Sequence, residues 1–332
     1  MPKVSLIIPV YNVSEYIERC IRSVMAQTYT DIECIIADDC GNDDSITKCE
    51  QMIREYEGPI KFLILHHEHN RGVSAARNTG IHHATGKWLY FLDSDDEITP
   101  HCIGTLLKVG EKDGTIEMVH GNLRICPTPE EDNPDLTLQE LPSSIKDSEM
   151  IKYWFFHKRK MRVAAWNKLL KRSFIMEHQL FFKENIIFED QLWAFYLYKS
   201  LNQMCVVTEP TYIYYVRPGS ITTGTDIQLL AKNKGLVLHE ILMNLPHGIE
   251  GNVLRRYIIF FIYRVLSCVR CVPEYKSAFS LYWNQSKKYH CRSVQIDLVI
   301  AYVSSYFKDS EKVFWRLRRQ IRRVARLKNR IM

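Results

Sequence analysis

Four β-rich runs alternate with helical patterns in the first 92 residues of the chain, and that order limits the fold more than any other feature. The runs are Val4–Val10, Ile32–Ala37, Ile60–Leu65 and Trp88–Leu92. After the first, Ser14 offers an N-cap, and Tyr16, Ile17, Cys20, Ile21, Val24 and Met25 follow at helical spacing. Ser45 can cap a second helix reaching about Tyr56, and Val73–Ala84 reads as a third, closed by Gly86. A βαβαβαβ order predicts a Rossmann-like α/β fold, its mostly parallel sheet flanked by helices and joined by right-handed crossovers. Such sheets bind ligands at the carboxyl ends of their strands. The unusual residues lie at those ends: Pro9–Asn12, Asp38-Asp39, and Asp93-Ser94-Asp95-Asp96.

The acidic cluster says most about chemistry. Trp88-Leu89-Tyr90-Phe91-Leu92 has no polar alternation, so it reads as a strand buried on both faces. Three carboxylates released at its end repel one another, and one would take up a proton unless a positive charge compensates. A divalent cation serves, and oxygen-only ligands select Mg²⁺ or Mn²⁺ over Zn²⁺. Such ions share their coordination with phosphates, so the cluster points to a phosphorylated ligand. The alternative is a polar turn capping the next helix; with that helix starting near Pro100, Thr99 suits the cap better than Asp93.

Other constellations leave choices open. Asp39, at a strand end, could accept the N3–H of a pyrimidine, or the Asp-rich loop after it could simply turn and cap a helix. Within Asn70–Gly80, Gly72 permits close backbone approach, and Arg77 could reach a diphosphate, brace the acidic cluster, or both. Glu189-Asp190 opens a helix, where a carboxylate is either a cap or a general base; the local physics leans to the cap. Trp166 is a sugar platform or a core residue, and Arg217 sits in a flexible loop able to close over phosphate. His66, His67 and His69 flank Glu68 at a strand end rather than on a helix, which does not support His-Glu-x-x-His zinc chemistry.

Composition is that of a folded globular protein, 46% hydrophobic and 25% charged. The net charge of +6 conceals an asymmetry. Residues 311–332 hold nine Lys or Arg against one Glu, and subtracting that +8 leaves about −2 for the body, which argues against a nucleic-acid-binding body. In that tail Phe314, Leu317, Ile321, Val324 and Ile331 share one helical face and arginines the other, the pattern of an interfacial helix drawn to anionic lipid. A protein partner or a solvated docked helix is the alternative. Met1-Pro2-Lys3 running straight into a strand is not a secretory leader pattern, and the cysteines show no paired framework. The expectation is a cytoplasmic chain with reduced thiols, peripheral on the inner face of the membrane. Cys268 and Cys271 read as core cysteines rather than a zinc pair. Cys126–Ser144 reads as a long surface loop, strands return at Cys205–Val207 and Tyr212–Val216, and helical patterns follow. The expected domains are 1–225, a helical region 226–310, and the basic helix 311–332.

Taken together, these stretches resemble a family 2 glycosyltransferase with the glycosyltransferase A fold, of the bacterial cell-surface polysaccharide type. The resemblance rests on Val4–Asn12, Gln27-Thr28-Tyr29, Asp38-Asp39, Asn70-x-Gly72, Ala76-Arg77-Asn78-x-Gly80, Phe91–Asp96 and Phe188-Glu189-Asp190, and covers roughly residues 1–222. It implies metal-dependent, inverting transfer from a nucleotide-diphosphate donor, usually a UDP-sugar, with Mn²⁺ or Mg²⁺ as cofactor. By resemblance, Pro9, Tyr11 and Asp39 surround the uracil, Asp93 contacts ribose or metal, Asp95 ligates the metal, and Asp190 is the base with Glu189 beside it. The acceptor would be a saccharide or a lipid-linked saccharide. One departure stands out: the family's usual Gly-Ser-x-Asp after the paired aspartates is Cys40-Gly41-Asn42-Asp43 here. A non-catalytic nucleotide-sugar-binding or scaffold protein on the same fold is the alternative. A nucleotidyltransferase or dehydrogenase would need a Gly-rich loop after the first strand, where Val10-Tyr11-Asn12-Val13 stands.

Overall fold

The computed structural model describes residues 3–126 and 138–216, and single positions at 229, 230, 233, 236, 237, 240, 241, 244 and 316. The chain divides into two compact units, Met1–Arg217 and Pro218–Met332. The second unit's described positions from 229 to 241 are helical. Arg217, the Cys268/Cys271 pair, and nearly all of the 226–310 and 311–332 segments lie outside the described residues.

The first unit opens with β1 (Val4–Val10), α1 (Ile17–Met25), β2 (Ile32–Asp38), α2 (Ser45–Glu55), β3 (Lys61–His66), α3 (Val73–His83) and β4 (Trp88–Phe91). Then come β5 (Glu97–Ile98), α4 (Cys102–Gly110), β6 (Met118–Cys126), β7 (Ser144–Ile145), α5 (Ser148–Lys152), β8 (Lys168–Lys171), α6 (Arg172–Glu177), α7 (Glu189–Ser200) and β9 (Met204–Tyr215). A π-helical turn, Tyr153–Lys158, extends α5. The sheet runs β3-β2-β1-β4-β8-β6-β9-β5, with β7 against β9. From β3 to β4 it is parallel, as the βα alternation requires. Beyond β4 it is mixed: β8 enters antiparallel between β4 and β6, while β6 and β9 pair in parallel.

Every residue of β1 and β4 is buried, because helices cover both faces of the sheet. Side chains alternate across it. Leu6, Ile8, Trp88 and Tyr90 face a core built with α1, α2 and α4 through Ile17, Ile21, Val24, Cys49, Ile103 and Leu106. On the other face α3 packs against β1 so closely that a Cβ on Gly80 would lie 2.3 Å from Ile7 Cγ2. There too Phe91 meets Phe182 and Trp193 edge-to-face, at centroid separations of 5.5 and 6.0 Å. Among the described strands, β3 at the sheet edge is the one with no buried residue.

Local details differ from expectation. Ser14 is not the cap of α1; the Ile17 amide bonds the Val13 carbonyl, while Ser14 donates its amide to Asp43. Ser45 is the first residue of α2, not its cap, and Asp43 accepts its amide and hydroxyl, a carboxylate being the stronger acceptor. The two strands expected after Cys205 are one, broken in register where Pro210 faces Asn122. Proline cannot donate to a ladder, so it sits at the irregularity and makes one strand read as two.

Candidate functional site

The carboxyl ends of β1, β2 and β4 form one edge of the sheet. Just past β1 and β2, Asn12 and Cys40 adopt φ of 50° and 56°, in the left-handed region that non-glycine residues rarely visit. Such conformations collect at ligand sites. Pro9 is buried in β1, and Tyr11 emerges beyond its end, 44% exposed, with its ring available to a planar group. Asp39 is buried. Its Oδ1 accepts the Arg71 amide and faces His67 Nδ1, both at 2.8 Å, and its Oδ2 accepts the Gly72 amide at 2.7 Å. Three of about four acceptor positions on the carboxylate are therefore used, leaving one for a ligand N–H. Gly72, at φ 86°, is a glycine because this approach needs left-handed backbone. His67, whose Nε2 lies 2.8 Å from Thr79 Oγ1, links the loop to α3.

Arg77 lies at the centre. Its guanidinium is buried and donates to Asp93 Oδ1 and to Glu189 Oε1, each at 2.9 Å. Burial works to lower its pKa, but Asp93 and Glu189 outweigh that and hold it above the ordinary arginine value. One side chain on α3 thus joins the turn after β4 to the first turn of α7. Arg77 is ion-paired with the acidic turn through Asp93.

In that turn Asp93, Asp95 and Asp96 each offer a carboxylate oxygen, and these lie within 4.8 Å of one another, a spacing a divalent cation can fill. Asp93 and Asp95 are half-buried. Asp96 is fully buried, and its two oxygens accept the Tyr212 hydroxyl at 2.7 Å and the Tyr215 amide at 2.8 Å. Burial, then the charges of Asp95 and Asp93, push Asp96 up to about 8 despite those bonds. The Asp95 carbonyl accepts from Arg19, whose guanidinium lies 3.7 Å over the Tyr215 ring.

Opposite stands the start of α7. Phe188 precedes it at φ 68°, a strained conformation for a bulky residue. Glu189 is committed to Arg77, whereas Asp190 accepts the Gln191 amide at 2.7 Å. Burial, then Glu189, raise Asp190 to about 7, with Arg77 opposing. A group poised there can take a proton at neutral pH. Trp166 is 9% exposed, stacked on Tyr212 at 4.5 Å and on Tyr214 at 5.7 Å, with the Arg162 guanidinium 5.9 Å from its ring centroid. Behind it the buried Lys168 donates to the Ala164 carbonyl, and burial depresses its pKa. Sequence reasoning misses Arg19, Tyr212 and Tyr215, which come from elements remote in sequence with no local motif to mark them, and weighs His67 only as part of a zinc pattern.

The chain is similar to known glycosyltransferases. EpsH of Bacillus subtilis (strain 168), which is named as a glycosyltransferase, is 31% identical over 264 residues, covering 77% of this chain and 72% of its own. The crystal structure of S. aureus TarS 1–349 in complex with UDP-GlcNAc superposes with a TM-score of 0.63 at 18% identity, over 91% of this chain and 90% of that one. The mannosyltransferase PcManGT from Pyrobaculum calidifontis, in complex with GDP-Man and Mn²⁺, gives 0.56 at 15% identity, over 93% and 88%. These structures share the fold. The family model described as Glycosyl transferase family 2 matches residues 5–170, from β1 through the acidic turn to β8, and the chain belongs to that family.

Proposed function

We propose that this protein transfers a sugar, with inversion, from a nucleotide-diphosphate donor to a hydroxyl of a saccharide or lipid-linked saccharide in cell-surface polysaccharide synthesis. The observation that carries the reading is the Arg77 bridge, which sets the Asp190 helix start across from the Asp93–Asp96 turn. A donor lying along the sheet edge would have its leaving group at the acidic turn and its anomeric carbon toward Asp190. The Tyr11 ring and the remaining Asp39 acceptor position suit a uracil, and a UDP-sugar is the donor we assign. TarS, with UDP-GlcNAc bound, supports that choice on a shared fold.

The all-carboxylate oxygen donors fit a hard divalent ion, and Asp93 and Asp95 would hold it. When bound, Mn²⁺ or Mg²⁺ supplies Lewis acidity to the departing diphosphate; PcManGT, with Mn²⁺ bound, supports this. Asp190 takes the proton of the acceptor hydroxyl while its oxygen attacks the anomeric carbon opposite the leaving diphosphate. Bond making and breaking on opposite faces invert the centre. Glu189, tied to Arg77, holds the helix start rather than the proton. Among the described residues no helix is long and apolar enough to cross a membrane. We assign the 311–332 segment to an anionic membrane surface, where a lipid-linked acceptor would lie.

The test is UDP release across a panel of UDP-sugars with Mn²⁺ or Mg²⁺, alongside Asp95→Ala. Metal-dependent turnover of one donor, lost in the variant, is the expected result. UDP binding by calorimetry with no turnover on any donor or acceptor would leave the non-catalytic alternative, and absence of UDP binding would overturn the donor site.

A further inference from the structure

We propose that Tyr212 is a positioning residue for the metal-binding turn, fixing which of its three carboxylates ligate. The inference rests on the metal reading above and extends it to a residue on β9, outside the stretch matched by the family model.

Tyr212 is fully buried, and its hydroxyl has two partners. It accepts the Asp93 amide at 3.3 Å and donates to Asp96 Oδ2 at 2.7 Å. Three residues on, the Tyr215 amide donates to Asp96 Oδ1 at 2.8 Å. The same residue's ring carries the Arg19 guanidinium that donates to the Asp95 carbonyl. One strand end therefore fastens the turn at Asp93, at Asp96 and, through Arg19, at Asp95. The β5–β9 pairing, Ile98 opposite Tyr212 and Glu97 opposite Ile213, sets the register that makes this possible.

The consequence is a division of labour among like charges. Both oxygens of Asp96 accept from protein donors and the residue is 1% exposed, so its carboxylate is held facing Tyr212 and Tyr215 and is the one of the three least able to turn toward an ion. Asp93 and Asp95, half-buried, remain as the pair that meets the ion. The Trp166 ring, stacked at 13° on Tyr212, seats the phenol from behind. Partners of this kind govern metal affinity because they orient the ligands.

Manganese binding to the full chain, read from the electron paramagnetic resonance of free Mn²⁺, tests this directly. Tyr212→Phe keeps the stacked ring and removes the hydroxyl. It should weaken Mn²⁺ binding by about 10- to 100-fold, leave metal-free UDP binding unchanged, and recover most turnover at saturating Mn²⁺. Asp96→Asn, which preserves volume and can still accept from Tyr215, is a second variant should Tyr212→Phe not fold. It should weaken Mn²⁺ binding but retain it, whereas Asp95→Asn should abolish it. Wild-type Mn²⁺ affinity in the variants of Tyr212 and Asp96 would overturn the positioning role. Loss in Asp96→Asn as complete as in Asp95→Asn would overturn the exclusion of Asp96 from the ligand set. Failure of the wild-type chain to bind Mn²⁺ at all would overturn the metal reading, and this inference with it.

Discussion

Asp190 shows how much one side chain's surroundings decide. Burial and Glu189 lift it to about 7, well above the ~3.9 of an unfolded aspartate. In the proposed role of base it works deprotonated, so kcat/KM should rise with pH through an acidic limb near 7 and then level off. Asp190→Asn should bind donor normally and lose about 10²- to 10⁴-fold in turnover; a fully active variant would remove Asp190 from the reaction. The same shift bears on stability. A folded value above the unfolded one means the contribution is fully present below about pH 4 and is lost as pH rises through about 7. Replacing the carboxylate by an amide should therefore raise the metal-free melting temperature more at pH 8 than at pH 4. A pH-independent difference would contradict the raised value.

Among elements, α3 carries the most consequence. Arg77 is its link to the two carboxylate-bearing segments, and removing it leaves Asp93 and Glu189 facing each other without compensation. Arg77→Ala should cost about 3–5 kcal/mol in urea unfolding. Arg77→Lys should recover little, since an ammonium cannot present two forked donors to separate carboxylates. Gly80 sets how near the helix can come to β1. Alanine there would gain about 0.5–1 kcal/mol in helix preference but meet Ile7 at 2.3 Å. Overpacking costs typically about 1–3 kcal/mol, so Gly80→Ala should be net destabilising. The parallel half of the sheet is legible in the chain because β1 and β4, covered on both faces, are apolar but for Ser5. The antiparallel entry of β8 is not legible: Lys168-Leu169-Leu170-Lys171 carries no mark of direction. Asp93 and Asp95 are legible because they follow an apolar run that ends at the sheet edge, whereas Asp190 is singled out only by the family resemblance, its own surroundings in the sequence pointing to a helix cap. Tyr212 is hidden because a tyrosine in a strand looks like any other core aromatic; only its hydroxyl's two partners distinguish it.

For the whole molecule, the charge distribution separates a near-neutral body from a basic end. A chain ending at residue 310 should sediment poorly with anionic vesicles while the full chain sediments well, with the difference shrinking as salt rises; equal sedimentation would end the membrane assignment. The sheet order also has a temporal meaning. Synthesis delivers β1 to β4 first, and the acidic turn follows at once, but the strand that fastens it, β9, ends at Tyr215. A nascent chain that has emerged only through β8 would own the carboxylates without their clasp, and domains fold as their last partners appear. Metal capture should therefore wait for β9. Ribosome-arrested chains ending before β9 should leave Mn²⁺ free, and chains extending beyond it should bind. A half-made enzyme would then be unable to turn over its donor.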